Sequence, residues 1–298
     1  MSSETPSEVA AETPADTPPE AVSHGSIFKR FWPQISGTFA LLTVENVLGV
    51  AEPLVLGIAI NRLVEQDWTG LAWLVALELT FIIVGIVRRM YDTRVYTRIY
   101  ARVGSDLVAR EQAKGSPITQ VNARADLIKE VVDFFEQILP LSLTAGFTLI
   151  GSLVMIAFLD FRVFVVATVA TVLTGLVFWI ASRRIHTLNK ALNNQYERQI
   201  EVFERMRASS RNRHFRRLAM WQVRLSDLES LNFGLTYLFL IAAMLFGIYD
   251  AVTRLDAPIG TVFALMTYLF QFVQSVVALP ITYQQGIRTS EITQRVSD

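Results

Sequence analysis

The sequence predicts an all-α integral membrane protein with six transmembrane helices, and three observations support this fold class. Hydrophobic residues make up 52% of the 298 residues and the mean hydropathy is +0.37, which is more apolar than an ordinary globular protein. The apolar residues form six blocks of about 18–24 residues, and each block is long enough to cross the ~30 Å hydrocarbon core as a helix. Because the blocks lack the two-residue alternation of membrane β-strands, we expect helices.

The six blocks form one predicted domain, residues 27–298, after a polar N-terminal segment. The predicted spans are residues 37–60, 70–87, 138–158, 163–182, 232–250 and 258–280. Residues 1–26 are rich in Pro, Glu, Ala, Ser and Thr and contain no Lys or Arg, which is typical of a disordered tail. They lack the basic start and apolar core of a secretory signal, so we expect the first span to direct membrane insertion.

The two long connections, which follow spans two and four, carry a helical pattern. Apolar residues recur there every three or four positions; they include Val95, Ile99, Val103 and Leu107 after span two, and Ile185, Leu188, Leu192 and Tyr196 after span four. This spacing predicts that the helices continue as amphipathic rods about 30 Å beyond the bilayer. The tripeptide GSP at residues 115–117 predicts the turn at the tip of the first connection.

The basic residues predict the orientation of the protein in the membrane. Of the 27 Lys and Arg residues, only Arg62, Arg162 and Arg254 fall in the three short connections. Because cytoplasmic segments carry the excess of Lys and Arg, we expect both termini and both long connections in the cytoplasm. The expected location is the bacterial inner membrane.

An arginine cluster, RMRASSRNRHFRR at residues 205–217, stands out in the second long connection. We interpret it as part of the topology signal, because no nucleic-acid recognition motif accompanies it; contact with anionic membrane lipid is the alternative. The three histidines, His24, His186 and His214, are far apart, and the chain contains no cysteine. We therefore expect no metal site, no cofactor and no nucleic-acid partner.

The order of six spans, short outer connections and two long helical inner connections resembles the transmembrane domain of ABC exporters over residues 35–296. Positions that match the sixth exporter helix are Gly260, Tyr268, Gln271, Pro280 and Gln285, and positions that match the first are Pro53 and Gly57. The resemblance implies half a transporter. Two copies, or two related chains, would form a twelve-helix unit in which helices four and five cross to the partner.

The nucleotide-binding motifs of ABC ATPases do not occur in these 298 residues. None of the 15 glycines precedes a lysine, so there is no GxxxxGK[ST] phosphate-binding loop. No Gly-Gly pair is present either, which leaves out an LSGGQ-type signature. The sequence thus predicts no enzyme activity. The resemblance implies a separate ATPase subunit, which we expect to dock at the tips of the long connections, near Pro117 and Arg211.

Three glutamates interrupt the first two spans. Glu45 and Glu52 are two helical turns apart on span one, and Glu78 is in span two. Counted inward from the outer ends, Glu52 and Glu78 lie about 15 and 12 Å deep, which predicts neighbours. A carboxylate at mid-bilayer costs about 2.5–3.5 kcal/mol. Two interpretations remain open: the acids carry protons during transport, or they are protonated hydrogen-bonding groups that hold helices together.

Span six supplies a polar stripe that contains Gln271 and Gln274. Thr267 and Thr282 extend it at steps of mostly three and four residues. The stripe could line an aqueous pathway for substrate or protons, or it could form hydrogen bonds between helices.

Three functions fit these features. The first is a transporter half-unit of ABC-exporter type that works as a dimer with a separate ATPase. The second is a proton-coupled transporter of peptides or other amphipathic compounds, similar to the SbmA/BacA type that needs no nucleotide. The third is a membrane scaffold that does not transport.

Overall fold

A computed structural model describes residues 31–197, 199 and 208–297, and in residues 279–297 it gives the backbone alone. Within this part of the chain all regular structure is helical, which confirms the all-α prediction. The seven α-helices are α1 (Trp32–Val64), α2 (Thr69–Ala113), α3 (Ile118–Asp133), α4 (Leu139–Leu159), α5 (Phe161–Glu197), α6 (Ala208–Thr253) and α7 (Ile259–Ser297). A π-helical turn, Phe134–Ile138, joins α3 to α4. The predicted tail, residues 1–26, lies outside the described residues.

Six helices of the described chain are long and apolar enough to cross a membrane. They are α1, α2, α4 together with the π-helical turn, α5, α6 and the first part of α7. Each predicted span coincides with one of them. α2 has 45 residues and α6 has 46, so at 1.5 Å per residue each is about 70 Å long, well over the thickness of the hydrocarbon core. These lengths agree with the predicted helical extensions.

We call the end of the bundle that carries the three tight turns the short-loop end, and the opposite end the long-loop end. At the first tight turn the Asp67 carboxylate accepts hydrogen bonds from the Thr69 backbone N–H at 2.9 Å and from the Thr69 hydroxyl at 2.7 Å. These bonds, and the nearby Arg62, lower the pKa of Asp67. At the second turn Asp160 accepts from the backbone N–H groups of Arg162 and Val163 and so caps α5.

The turn between α2 and α3 lies at the predicted tripeptide. Gly115 has φ +72°, a left-handed conformation that suits a residue without a Cβ atom. Ser116 donates to the buried Glu111 carboxylate at 2.8 Å. Beyond this turn α3 folds back along α2. The apolar residues predicted to form one face of the α2 extension are buried there, in a core formed by Ile35, Val95, Tyr96, Ile99, Val103, Leu107, Ile128 and Val132.

A second core holds the membrane-spanning helices together at the short-loop end. Its fully buried side chains include Ile156, Val163, Leu240, Leu265, Leu269 and Phe272, from α4, α5, α6 and α7. α1 packs against α2 on one side and against α7 on the other, and α4 packs against α7. α5 and α6 make their most extensive contact with each other, and smaller ones with α4 and α7.

The crossing of α1 and α7 depends on two glycines. Gly57 and Gly260 bring the two helix backbones into direct contact, and a Cβ atom at either position would collide with the backbone carbonyl of the other. Next to this contact, the Gly260 N–H donates to the Asn61 side-chain oxygen at 2.7 Å. Asn61, on the neighbouring helix α1, thus provides an acceptor for a backbone N–H group in the first turn of α7, where such groups have no partner within their own helix. Small residues let the backbones of membrane helices approach closely. This close packing stabilises helix association in lipid, where the hydrophobic effect does not.

We expect Gly57→Ala to destabilise the protein by roughly 1–3 kcal/mol, because its methyl group has no space against the Gly260 carbonyl. Gly175→Ala is the matched control, since a Cβ atom there meets nothing within 4 Å. The control is expected to be neutral or slightly stabilising because alanine favours helix. Thermal unfolding in detergent measures both. Equal melting temperatures for the two variants would contradict the close approach.

Candidate functional site

The interface between α1 and α2 contains the three acids that the sequence predicts as site residues. Glu45 and Glu52 are two helical turns apart on α1. Glu45 contacts Arg88 of α2, and Glu52 interacts electrostatically with Glu78 of α2. The acids therefore form two groups along the same interface, and the two groups have different electrostatic surroundings.

The first group is a buried charge network around one guanidinium. Arg88 Nε donates to Glu45 Oε2, and an Arg88 terminal nitrogen donates to Asp92 Oδ2 at 2.9 Å. The three side chains are only 14%, 13% and 5% exposed for Arg88, Glu45 and Asp92. Two carboxylates share one cation, so the network carries one negative charge when all three groups are ionised.

Arg88 and Asp92 were not predicted as site residues, because the predicted second span ends at residue 87. The sequence nevertheless contained a signal for the pairing of Glu45 with Arg88. Counted at 1.5 Å per residue from Arg62 and Gly70, Glu45 lies about 26 Å and Arg88 about 27 Å from the short-loop end. The same count that paired Glu52 with Glu78 therefore pairs Glu45 with Arg88. The contact with Arg88 offsets part of the cost of placing the Glu45 side chain in the membrane.

The second group is the predicted pair of Glu52 and Glu78. Both side chains are partly buried, and neither forms an ion pair within the described residues. The structure therefore brings together the two acids that depth counting predicts as neighbours. Tyr268 of α7 also interacts electrostatically with Glu52, and its hydroxyl donates to the Val50 carbonyl at 2.7 Å. Glu52 of α1 therefore interacts with Glu78 of α2 and with Tyr268 of α7.

Three buried polar atoms lie beside the Arg88 network without hydrogen-bond partners in the described part of the chain. They are Asp92 Oδ1, the Thr38 hydroxyl and the Tyr96 hydroxyl. Thr38 lies next to both Asp92 and Tyr96, but the geometry does not reach that of a hydrogen bond. Buried polar groups usually have partners. Together with Arg88 and Glu45, these three side chains form a buried polar cluster between α1 and α2.

Asp92 also lines a polar cavity of about 350 Å³ at the long-loop side of the bundle. The lining residues are Arg88, Arg89, Asp92, Thr93, Glu136, Gln137, Pro140, Leu141 and Thr144. The π-helical turn contributes Glu136, whose carboxylate accepts a weak hydrogen bond from Thr93 at 3.4 Å. π-helical turns occur often at functional sites. Sequence analysis missed this cavity because nothing in the composition of residues 134–138 predicts a π-helical turn.

An apolar cavity of about 420 Å³ lies between α1 and α4. Its lining residues are Asn46, Val47, Val50, Ser142, Leu143, Gly146, Phe147, Ile150 and Gly151. The Asn46 amide donates to the Leu42 carbonyl of its own helix at 2.7 Å. The walls are therefore almost entirely hydrocarbon. The polar and the apolar cavity border the same segment of α4, residues 140–144.

The polar stripe of α7 is only partly buried. Gln271 is half-buried, and its side-chain oxygen has no partner in the described region. Gln274 is exposed. The Thr267 and Ser275 hydroxyls donate to carbonyls of their own helix at 3.0 and 2.7 Å. No hydrogen bond connects Gln271 or Gln274 to the three glutamates among the described residues.

The two predicted docking positions lie at the long-loop end. Pro117 is exposed in the turn between α2 and α3. Arg211 is in the first turn of α6, and its side chain lies outside the described residues. Nearby, the ring of the buried His214 lies 2.7 Å from the Gln195 amide and links α5 to α6. Within the described chain no three metal-binding side chains come together.

Comparison with known proteins identifies a family for the chain. The model of the family described as "ABC transporter transmembrane region" matches residues 25–262. This match covers α1 to α6 and the start of α7, well over half of the chain. It confirms the resemblance that the order of spans suggested. No curated protein matches the chain.

We expect Arg88→Gln to be more damaging than Glu45→Gln. The first change leaves two buried carboxylates without a cation, at a cost of roughly 3–5 kcal/mol. The second leaves Arg88 paired one-to-one with Asp92. The double variant Glu45→Gln/Arg88→Gln is expected to recover part of the loss, because only one carboxylate then remains unpaired. Thermal unfolding in detergent ranks the variants. Equal effects of the two single changes would contradict the shared guanidinium.

Proposed function

Because the chain belongs to the family of ABC transporter transmembrane regions, we propose that it is a transporter half-unit of exporter type, completed by a second half-unit and energised by an ATPase on a separate polypeptide. The chain is an integral membrane protein with six apolar helices and is a component of a membrane transporter. The proposal extends this to the assembly, the energy source and the orientation in the membrane.

The observation that carries the proposal is the isolation of the hairpin formed by α5 and α6. Most of the contacts of α5 and α6 are with each other, and their remaining contacts are with α4 and α7. Large apolar side chains of the hairpin, such as Leu176, Trp179 and Ile180, stay exposed. A hairpin of this kind is suited to packing against a second half-unit. The exposed apolar side chains of α1, such as Val44 and Val47, offer a complementary surface.

The partner is a second copy of this chain or a related half-transporter. Symmetric two-fold assembly is the commonest form of homo-oligomer, and a homodimer is the simplest case. In the proposed orientation the long-loop end and both termini face the cytoplasm of a bacterial cell, and the short-loop end faces outward from the inner membrane. The excess of Lys and Arg in the long connections supports this orientation.

A separate ATPase is proposed to dock on the tips of the long connections. The supporting features are the exposed turn at Pro117 and the first turn of α6 at Arg211, both at the long-loop end. These 298 residues contain no GxxxxGK[ST] motif, so in this proposal the nucleotide-binding residues lie outside them.

We expect gentle extraction from native cells to co-purify a nucleotide-binding subunit. A photo-crosslinking side chain at residue 117 or 211 should attach to that subunit, whereas one at Val252, which is exposed at the short-loop end, should not. Mass spectrometry of the crosslinked products reads the result. Crosslinks that are equally frequent from Val252, or no subunit under several gentle conditions, would contradict the docking proposal.

Proton coupling is the second candidate, and the pairing of Glu52 with Glu78 favours it. Two nearby carboxylates without a cation cannot both ionise easily in a membrane, because charge repulsion and desolvation act in the same direction. One of the pair is then expected to hold a proton that can be exchanged as the site opens to either side. Glu45 is less suited to this role because Arg88 holds its charge.

We expect Glu52→Gln to remove a titrating carboxylic-acid band from the infrared difference spectrum of the reconstituted protein, while folding and melting temperature stay close to wild type. Glu229→Gln, at an exposed position of α6, is the matched control and should keep the band. A band that is unchanged in Glu52→Gln and in Glu78→Gln would contradict proton binding at this pair. The acids would then act only as hydrogen-bonding groups between helices.

A further inference from the structure

Charged side chains of both signs line the polar cavity at the long-loop side. Asp92 and Glu136 supply two carboxylates, and Arg88 and Arg89 supply two guanidiniums. Arg88 already pairs with Glu45 and Asp92. Because Glu136 and Arg89 make no ion pair within the described residues, the cavity is suited to a ligand that brings one positive and one negative group.

The Glu136 carboxylate is suited to a ligand that donates hydrogen bonds. It is only partly buried, and it accepts one weak hydrogen bond, from Thr93 at 3.4 Å. An ionised carboxylate only accepts hydrogen bonds, so a ligand with N–H groups satisfies it and a ligand without them does not. A primary ammonium provides both the positive charge and the N–H donors.

Other groups in the cavity are suited to an anion. Arg89 is exposed and lines the cavity together with Gln137 and Thr144. These side chains offer N–H and O–H donors to a phosphate, and an arginine can hold a phosphate with two hydrogen bonds. One cavity therefore presents acceptors for an ammonium and donors for a phosphate.

The polar cavity lies at the depth of the lipid headgroups. Arg88 lies about 27 Å from the short-loop end, near the edge of the ~30 Å hydrocarbon core where lipid headgroups are found. The apolar cavity between α1 and α4 borders the same α4 segment, residues 140–144, and extends towards Ile150. A headgroup site at the bilayer edge thus lies next to a hydrocarbon-lined crevice that fits an acyl chain.

We propose that this cavity binds the headgroup of a phospholipid that carries a primary ammonium and a phosphate, such as phosphatidylethanolamine. The ammonium donates to Glu136, near the negative charge of Asp92; the phosphate accepts from Arg89, and an acyl chain lies in the apolar crevice. The site is separate from the acids Glu52 and Glu78 and does not depend on the transport activity proposed above.

Native mass spectrometry of the delipidated full chain tests the proposal with three lipids of identical acyl chains. Wild type should retain phosphatidylethanolamine on the order of tenfold better than phosphatidylcholine, whose methylated nitrogen has no N–H group. Phosphatidylglycerol, which has no ammonium, should also be retained less. Glu136→Gln and Asp92→Asn should reduce the preference for ethanolamine, and Arg89→Gln should reduce retention of all three lipids. Glu229→Gln, the matched control, should behave as wild type.

Equal retention of the ethanolamine and choline lipids by wild type would overturn the proposal, as would a preference that survives Glu136→Gln. Soluble phosphoethanolamine that raises the melting temperature as much as the lipid does would overturn a lipid as the source of the headgroup. Asp92→Asn also disturbs the Arg88 network. Glu136 makes no ion pair among the described residues, so Glu136→Gln decides the test if Asp92→Asn fails to fold.

Discussion

The packing of α1 against α2 depends on the ion pairs that the Arg88 guanidinium forms. It holds Glu45 of α1 and Asp92 of its own helix, at a depth where unpaired charge is costly. By pairing these acids it fixes the rotation and the depth of α1 against α2. The same register brings Glu52 opposite Glu78 and leaves the other side of α1 free to contact α7 through Gly57 and Gly260.

This arrangement divides the molecule into a packed body and a hairpin. α1 contacts α2, α4 and α7, and α4 contacts α7, whereas α5 and α6 mainly contact each other. The body holds the buried acids and both cavities, so the proposed proton and lipid sites both belong to the body. The hairpin makes few contacts with the body, and this supports the proposed assembly of two half-units.

Much of the fold could be predicted from the sequence, because the length of an apolar block reports the bilayer thickness and three- and four-residue spacing reports a helix face. The turn at Gly115 was predictable from its tripeptide. The site was predictable only in part. Glu52 and Glu78 followed from depth counting, but Arg88 was missed because hydropathy ended the span one residue too early. The contacts of Thr38, Tyr96 and Glu136 depend on helix rotation and on a π-helical turn, which no local pattern encodes.

A disulfide between two copies, formed through the hairpin of α5 and α6, tests the proposed assembly of two half-units most directly. The chain has no cysteine, so Val47→Cys and Trp179→Cys can be placed on separate copies. Both positions are exposed, and they lie at similar depths, about 23 and 26 Å from the short-loop end. Oxidation of the mixed proteins in lipid is expected to give a covalent dimer of the two variants. Val47→Cys mixed with Ile118→Cys, which is exposed near the tip of the long connection, is expected to give none. A mixture of Val47→Cys and Trp179→Cys that stays monomeric across several lipids would contradict the two-half-unit account.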